Sequence, residues 1–499
     1  MAIFTAKLKA VAYKSAMVIY TTEPASVKET LAGSDAYKWL EAFDNEILNH
    51  LYRGTFEFID RRGARAGRLV TTKWVMKAKQ ASDGNISKFK ARLVARGFTQ
   101  KKGIDYFQTY ASTTRTASWR LLIALATILG WYIAHVDFVA AYLNGILMEV
   151  IFAEQPTLLA EFFSRNPDLA KKHNYSPDKA IRIQRPLYGL KQSGYAWQQR
   201  VKKEMAALRF FPLQSDPAVY YNPKTGVILA SYVDDFLIFS PTEELAKEVV
   251  ASIGKALEIE DLGEAKWFLG VRIHREGQVT TLAQDVYMDN MVSDLGPAQG
   301  HNGRPVHTPI EPSKARAAKP HKGKATIKET FDYASAVSKV AYPVIITRPD
   351  AAYTISRWNR YITNPTPEHV EGIARLVKYY RTTRARAVQY SGPAGPANNK
   401  LNITAASDSD YAGDLASAKS TTGWIIYAAN GPVAWASRLQ ETVAQSTAEV
   451  EYIALNAVTK ELAWVRQFLD ELGHPIQGPI TVKCDNLAAK GWVEEVEMS

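Results

Sequence analysis

The sequence predicts a multidomain chain in which helices and strands are mixed. Three observations carry that expectation. The chain has 499 residues, more than one hydrophobic core organises, so two or three domains are expected. Apolar residues recur at helical spacing in some stretches and alternate, or run together, in strand-like stretches elsewhere. Segments rich in Pro, Gly, Ala and Lys break these patterns at 297–330 and 391–400.

Taken in order, residues 1–54 read as a helical lead-in, with Trp39, Phe43, Ile47 and Leu48 at helical spacing. Residues 55–110 are rich in β-formers. "KWVMKAKQASDGNISKFKARLVARGF" reads as two strands joined by a turn at Asp83-Gly84. The longest apolar run, "LLIALATILGWYIA" at 121–134, is shorter than a membrane span and is flanked by Arg120 and His135. It reads as a buried helix running into a strand, and no membrane partner is expected. In 187–210, Trp197, Val201, Met205 and Leu208 form one apolar stripe, with Arg200, Lys202 and Lys203 on the polar side. Beyond residue 400, strands at 401–407, 424–428 and 480–484 accompany a helix over 446–472, whose stripe is Val458, Leu462, Val465, Leu469 and Leu472.

The hydrophobic fraction of 46% beside a charged fraction of 22% is that of a globular chain rather than a disordered one. A net charge of +11 points to a polyanionic partner, nucleic acid before an anionic membrane. The single cysteine, Cys484, excludes an internal disulfide and every multi-cysteine zinc site, and places the chain inside a cell. It reads as a small buried strand residue.

The chemistry is written in carboxylates. "ILASYVDDFLIFS" at 228–240 sets Asp234 and Asp235 side by side in an apolar run. One reading is a β-hairpin with an acidic tip, although the Gly that tight hairpin turns favour is missing. The other is a metal site, because a divalent cation offsets both the desolvation and the mutual repulsion of the pair. Asp137, at the end of the strand-like run in "YIAHVDFVAAYLNG", is the candidate third carboxylate. Three carboxylates at strand ends suit two cations roughly 3.5–4 Å apart, the arrangement that serves nucleotidyl transfer.

At these residues the sequence resembles the reverse transcriptase of copia-type LTR retrotransposons. "TFEFID", "KWVMKAK", "KARLVARGFTQKKGIDY", "HVDFVAAYLNG", "RPLYGLKQSGYAW", "SYVDDFLIF", "LGEAKWFLGVRI" and "TRPD" occur in the family's order, and the likeness covers about residues 23–490. It implies an α+β fold: fingers and palm over 55–295, a linker with a thumb- or connection-like helical region over 296–400, and an RNase H-like mixed sheet with helices over 401–499. It implies an RNA-directed DNA polymerase using Mg²⁺, with Mn²⁺ as the alternative. Its partners would be an RNA template, a DNA primer, the RNA–DNA hybrid and deoxynucleoside triphosphates. By the same resemblance Asp137, Asp234 and Asp235 are metal ligands, and Tyr142 is an aromatic gate against the ribose 2′-hydroxyl. Lys90, Arg92, Gly189, Lys191 and Gln192 attend the incoming nucleotide, and Phe268, Leu269 and Gly270 form the primer grip.

"SDSDYAGD", "STTGWIIY", "GPVAWASR", "QSTAEVEYIAL" and "CDNLAA" resemble the RNase H domain that follows in this family. Asp408, Glu451 and Asp485 would be its metal ligands, with Asp410 and Glu449 as solvated neighbours. The family's further helix and fourth acidic residue have no counterpart before Ser499, so this domain is expected to be C-terminally truncated. The alternative reading is a catalytically silent relic that at most binds nucleic acid. Ser112 and Thr113, where the family has Pro-Val, favour it; the three intact carboxylates do not.

Overall fold

The computed structural model describes residues 26–64, 69–80, 86–296, 305–311, 313, 318–319, 331–392 and 401–491. The Asp83-Gly84 turn, the first 25 residues, most of the two Pro- and Gly-rich breaks and the tail from 492 lie outside them.

The lead-in is two helices, Val27–Ala32 and Ala36–Tyr52. Trp39, Phe43, Ile47 and Leu51 are buried, one turn apart, whereas Leu48 falls beside that stripe and is 41% exposed. Strands β1 (Phe56–Ile59) and β2 (Leu69–Val70) follow. The expected strand pair is the long hairpin of β3 (Thr72–Gln80) and β4 (Ile86–Ala95), a two-stranded sheet of its own. The helix Ala36–Tyr52 packs on it through Trp39 against Phe89 and Phe43 against Trp74.

The longest apolar run divides as expected, into the helix Thr116–Leu129 and strand β5 (Tyr132–Phe138). Strands β6 (Ile151–Ala153) and β7 (Ala180–Ile183) join the first two in a sheet ordered β1-β7-β6-β2. Strands β8 (Phe211–Pro212), β9 (Val219–Tyr221), β10 (Ile228–Tyr232), β11 (Asp235–Ser240) and β12 (Ile259–Glu264) join β5 in a six-stranded antiparallel sheet. Its order is β12-β5-β11-β10-β9-β8.

Both faces of this sheet are covered. Ile133, Ile228, Leu237 and Phe239 share a core with the helix Thr116–Leu129. Ala134, Val136, Leu229, Phe236 and Ile238 pack instead with Trp197, Val201 and Met205 of the helix Ser193–Ala207, and with Val249 and Ile253 of the helix Glu243–Ala256. Residues 228–240 are therefore apolar at successive positions, since neither face meets water.

Strands β13 (Trp267–Phe268), β14 (Val271–Glu276) and β15 (Val279–Ala283) pair with the later β16 (Val388–Ser391). Between them run the helices Asp285–Leu295, Tyr333–Ile346, Ala352–Trp358 and Pro367–Thr382. The last sheet contains β17 (Ile403–Asp414), β18 (Lys419–Ala428), β19 (Gly431–Leu439) and β20 (Thr481–Lys483), ordered β19-β18-β17-β20. β20 runs parallel to β17. The helix Thr447–Glu471 lies on this sheet and buries Val458, Leu462, Val465 and Leu469. The sequence reading had three strands here; β19 was missed because "GPVAWASRL" shows no clean two-residue alternation in burial.

A buried arginine ties the helix Thr116–Leu129 to the last sheet and to the helix Tyr333–Ile346. Arg120 donates from Nε to the Val433 carbonyl and from Nη1 to those of Ile345 and Ile346, each at 2.8 Å. Its guanidinium sits 3.8 Å from the Trp435 ring centre. Burial lowers its pKa to about 10, which still leaves it charged at neutral pH. Among the described residues no helix is long and apolar enough to cross a membrane.

Candidate active site

Asp137 on β5 and Asp235 on β11 stand directly opposite each other in the antiparallel ladder. Tyr232 pairs with Asp235, so Val233 and Asp234 form a two-residue turn between β10 and β11. The acidic hairpin tip is real, and it is made without glycine. Val233 takes φ of 63°, where a β-branched residue costs on the order of 1–3 kcal/mol. The turn is held by Trp197 Nε1 donating to the Val233 carbonyl at 2.7 Å and by Phe138 N donating to the Asp234 carbonyl at 2.8 Å.

Two further groups, not singled out in the sequence, belong to this cluster. Glu260 on β12 lies opposite Asp137 on its other side, so carboxylates from three adjacent strands share one level. His135, two residues before Asp137 and on the same face, brings Nε2 to 3.1 Å from Asp235 Oδ1. The crowding has an electrostatic consequence. Burial, then Asp234 and Asp235, push the Asp137 carboxyl up to about 6, against the pull of Lys90. Burial and Asp235 also raise Asp234, while Arg92 and Lys90 act the other way. Carboxylates disfavoured in their charged form are the donor set that a hard divalent cation suits.

Lys90 and Arg92 reach the cluster from β4, two residues apart on one strand face. Arg92 lies 5.4 Å from the centre of the Tyr188 ring, which itself lies 4.9 Å from that of Tyr142. Tyr142 sits on the short 3₁₀ turn Ala141–Asn144 after β5, and burial followed by Asp234 raises its phenol pKa. Tyr188 is the aromatic partner that sequence reading overlooked.

Other expected site residues are placed differently. Gly189 has φ of 88°, and a Cβ there would meet the Ala95 carbonyl oxygen at 2.2 Å. Its close approach is thus to this chain's own β4, where Ala95 N donates to the Tyr188 carbonyl at 2.7 Å. Lys191 is exposed. Gln192, expected to reach phosphate or base, is only 1% exposed. Its amide donates to the Asp105 carbonyl at 2.8 Å and accepts from Gln100 Nε2 at 3.2 Å, so it braces the loop from within. Phe268 is buried, edge-on to Trp119 at 5.8 Å. Leu269 and Gly270 form the turn between β13 and β14, both with positive φ, and Tyr342 donates its hydroxyl to the Leu269 carbonyl. Trp267 is exposed on this hairpin, as is Arg272, its cross-strand partner.

A second acidic cluster lies on the last sheet. Asp408 is exposed on β17. Glu451, on the helix Thr447–Glu471, is 5% exposed and accepts at Oε1 from Ser409 N at 3.0 Å and Ser409 Oγ at 2.7 Å. Its Oε2 is buried and has no donor among the described residues. Burial raises its pKa against the Ser409 hydrogen bonds, with Asp408 and Asp485 adding to the rise. Asp485 and the buried Cys484 follow β20 directly. Glu451, Cys484 and Asp485 bring their ligand atoms within 4.8 Å of one another, the one such set among the described residues. Neither Asp408 nor the carboxylates of the first cluster belong to a set that close. Glu449 accepts from Gln445 N at 2.8 Å at the helix start, and Asp410 Oδ2 lies 3.5 Å from the Tyr353 hydroxyl. Asp414, fully buried, forms ion pairs with Arg357 and Arg360 and clamps β17 to the helical region.

Residues 55–312, just over half of the chain, match the family described as reverse transcriptase (RNA-dependent DNA polymerase). The chain is 32% identical to the retrovirus-related Pol polyprotein from transposon TNT 1-94 of Nicotiana tabacum, over 94% of this chain and 34% of that protein. It is 28% and 27% identical to those from transposons RE1 and RE2 of Arabidopsis thaliana. Those matches cover 91% and 94% of this chain and 29% and 31% of the two proteins. The chain thus spans about a third of the length of these curated relatives. A solved foamy viral protease–reverse transcriptase in complex with double-stranded DNA is similar at a TM-score of 0.40 and 13% identity, over 93% of this chain and 64% of that one, too loose a likeness to carry an argument. The chain belongs to the reverse transcriptase (RNA-dependent DNA polymerase) family, alongside copia-type Pol polyproteins of plant transposons.

Proposed function

We propose that the chain is an RNA-directed DNA polymerase and that the first acidic cluster is its reaction centre. The observation that carries this reading is the register of Asp137 against Asp235, with Asp234 at the turn beside them, Lys90 acting on Asp137 and Asp234, and Arg92 acting on Asp234. Asp137, Asp234 and Asp235 would hold Mg²⁺, or Mn²⁺, which when bound supplies charge neutralisation on the triphosphate and eases attack by the primer 3′-hydroxyl.

The rest of the work falls to this chain's own side chains. Lys90 and Arg92 bind the triphosphate of the deoxynucleotide, Arg92 being steadied by the Tyr188 ring. Tyr142 presents its ring where a 2′-hydroxyl would enter. His135 orients Asp235. The six-stranded sheet is the palm in this reading and the β3–β4 hairpin the fingers. The third sheet and the helices over 331–382 serve as thumb and connection. The Leu269-Gly270 turn positions the primer through its backbone and Trp267, with Phe268 as its buried anchor.

The last sheet supports a second activity of the RNase H type, in which Asp408, Glu451 and Asp485 would hold cations for cleaving the RNA strand of an RNA–DNA hybrid. Glu451 carries this reading, as a buried carboxylate with one oxygen lacking a donor among the described residues. The test of the main reading is primer extension on an RNA template by the purified chain, beside Asp234→Asn. Extension that the variant lacks supports it. No extension by folded protein that still binds primer–template turns the reading to a silent nucleic-acid binder.

A further inference from the structure

The second cluster contains an atom that a hydrolytic site for Mg²⁺ does not need: the sulfur of Cys484. It lies within 4.8 Å of carboxylate oxygens of both Glu451 and Asp485, and it is the only thiol in the chain. Cys484 is 8% exposed, so its sulfur faces the cluster from the protein side rather than from solvent. The independent mark of a ligand is Glu451. Ser409 satisfies one carboxylate oxygen with two hydrogen bonds and leaves the other buried without a donor among the described residues. A buried carboxylate oxygen left so is costly unless a cation or proton meets it.

We infer that Glu451, Cys484 and Asp485 form a site for a thiophilic divalent cation such as Zn²⁺. The inference concerns the cluster offered above as a hydrolytic site and rests on cation binding there, not on hydrolysis. The donor set of one sulfur and two oxygens favours a borderline-soft ion over Mg²⁺, which takes oxygen ligands in octahedral array. Zinc bonds of about 2.0–2.3 Å in tetrahedral array put ligand atoms roughly 3.3–3.8 Å apart, inside the 4.8 Å within which the three ligand atoms lie. Three protein ligands leave one position for water or a phosphate oxygen. Binding converts the Cys484 thiol to a metal thiolate and releases one proton to solvent. A Zn²⁺ ion held this way occupies Glu451 and Asp485 and so competes with Mg²⁺ for the same carboxylates.

Cadmium is the reporting ion, because a sulfur-to-cadmium charge-transfer band in the ultraviolet identifies thiolate ligation and this chain has one thiol. The metal-free full chain is titrated with Cd²⁺, then with Zn²⁺ in competition, with thermal melting as a check of fold. One equivalent of Cd²⁺ should produce the band, and Zn²⁺ should displace it. Millimolar Mg²⁺ should not. Glu451→Gln and Asp485→Asn should each weaken Cd²⁺ binding by at least about 10-fold, and Cys484→Ser should remove the band. No band from folded wild-type protein overturns the inference. So does a band of unchanged affinity in both carboxylate variants, which would mean a thiol binding the ion alone. Hydrolysis of an RNA–DNA hybrid is scored separately: a Cd²⁺ site intact in a chain that cleaves no hybrid overturns the hydrolytic reading and supports this one.

Discussion

The first acidic cluster rests on neighbouring strands of one sheet, whereas the second is gathered from β17, the helix Thr447–Glu471 and the residues after β20. In the first, spacing is dictated by the backbone ladder that pairs Asp137 with Asp235 and with Glu260. In the second, Glu451 reaches its place by helix packing and is fixed by Ser409. The first is faced by Lys90 and Arg92 and contains only oxygen donors among its aspartates. The second has a sulfur. A ladder sets carboxylates close whether or not a cation is present, so their crowding raises pKa. A cluster assembled from three elements can admit a different donor atom at one of them, and with it a different metal.

The largest expected effect tests whether the first cluster alone supports synthesis. Asp234→Asn should reduce primer extension by at least about 10³-fold, since a ligand charge is worth several kcal/mol at such a site. The variant should melt no lower than wild type and keep the cadmium band of the second cluster; loss of both would mean that the clusters are one structural unit. Next, Tyr142→Val should lower discrimination against ribonucleotides by about 10²-fold, read as the ratio of incorporation efficiencies, and an unchanged ratio removes Tyr142 from the gate role.

A third prediction concerns protons. Folding raises the Asp137 carboxyl from 3.8 to about 6, so in metal-free protein the folded state binds more protons than the unfolded state between those values. Its contribution to stability is therefore present at low pH and lost as pH rises through about 6. Mg²⁺ competes with that proton, and the rise in melting temperature on adding Mg²⁺ should be larger at pH 7 than at pH 5. Asp137→Asn should flatten the difference. The smallest effect belongs to the turn. Val233→Gly relieves a left-handed β-branched residue but adds unfolded-state freedom, and should change stability by about 1 kcal/mol or less, in the stabilising direction by denaturant titration.

Much of this was legible in the residues. The helix–strand division of 121–134 followed from length and flanking charge, and the stripes of Trp197, Val201 and Met205 and of Val458, Leu462 and Val465 are buried as their spacing required. The Asp pair announced itself by standing in an apolar run. What could not be read was lateral. Glu260 meets Asp137 only because β12 lies beside β5, and Cys484 meets Glu451 only because β20 pairs with β17. Orientation was equally hidden. Gln192 and Phe268 carry residue types suited to base or primer, but the loop and the hairpin turn both side chains inward. His135 was in view beside Asp137, and a two-residue period would have placed both on one face.

The β3–β4 hairpin has a mechanical consequence. It belongs to no larger sheet, and Ala95 is bonded to Tyr188 at its base beside Gly189, where the backbones touch too closely for any side chain. The helix Ala36–Tyr52 packs along the hairpin, so any tilt about this contact would carry the two together. Arg92 stands three residues from Ala95, about 10 Å out along the strand. A 10° swing about that contact would displace Arg92 by roughly 2 Å along its arc, the difference between an ion pair made and an ion pair broken, and Lys90, further out, would travel more.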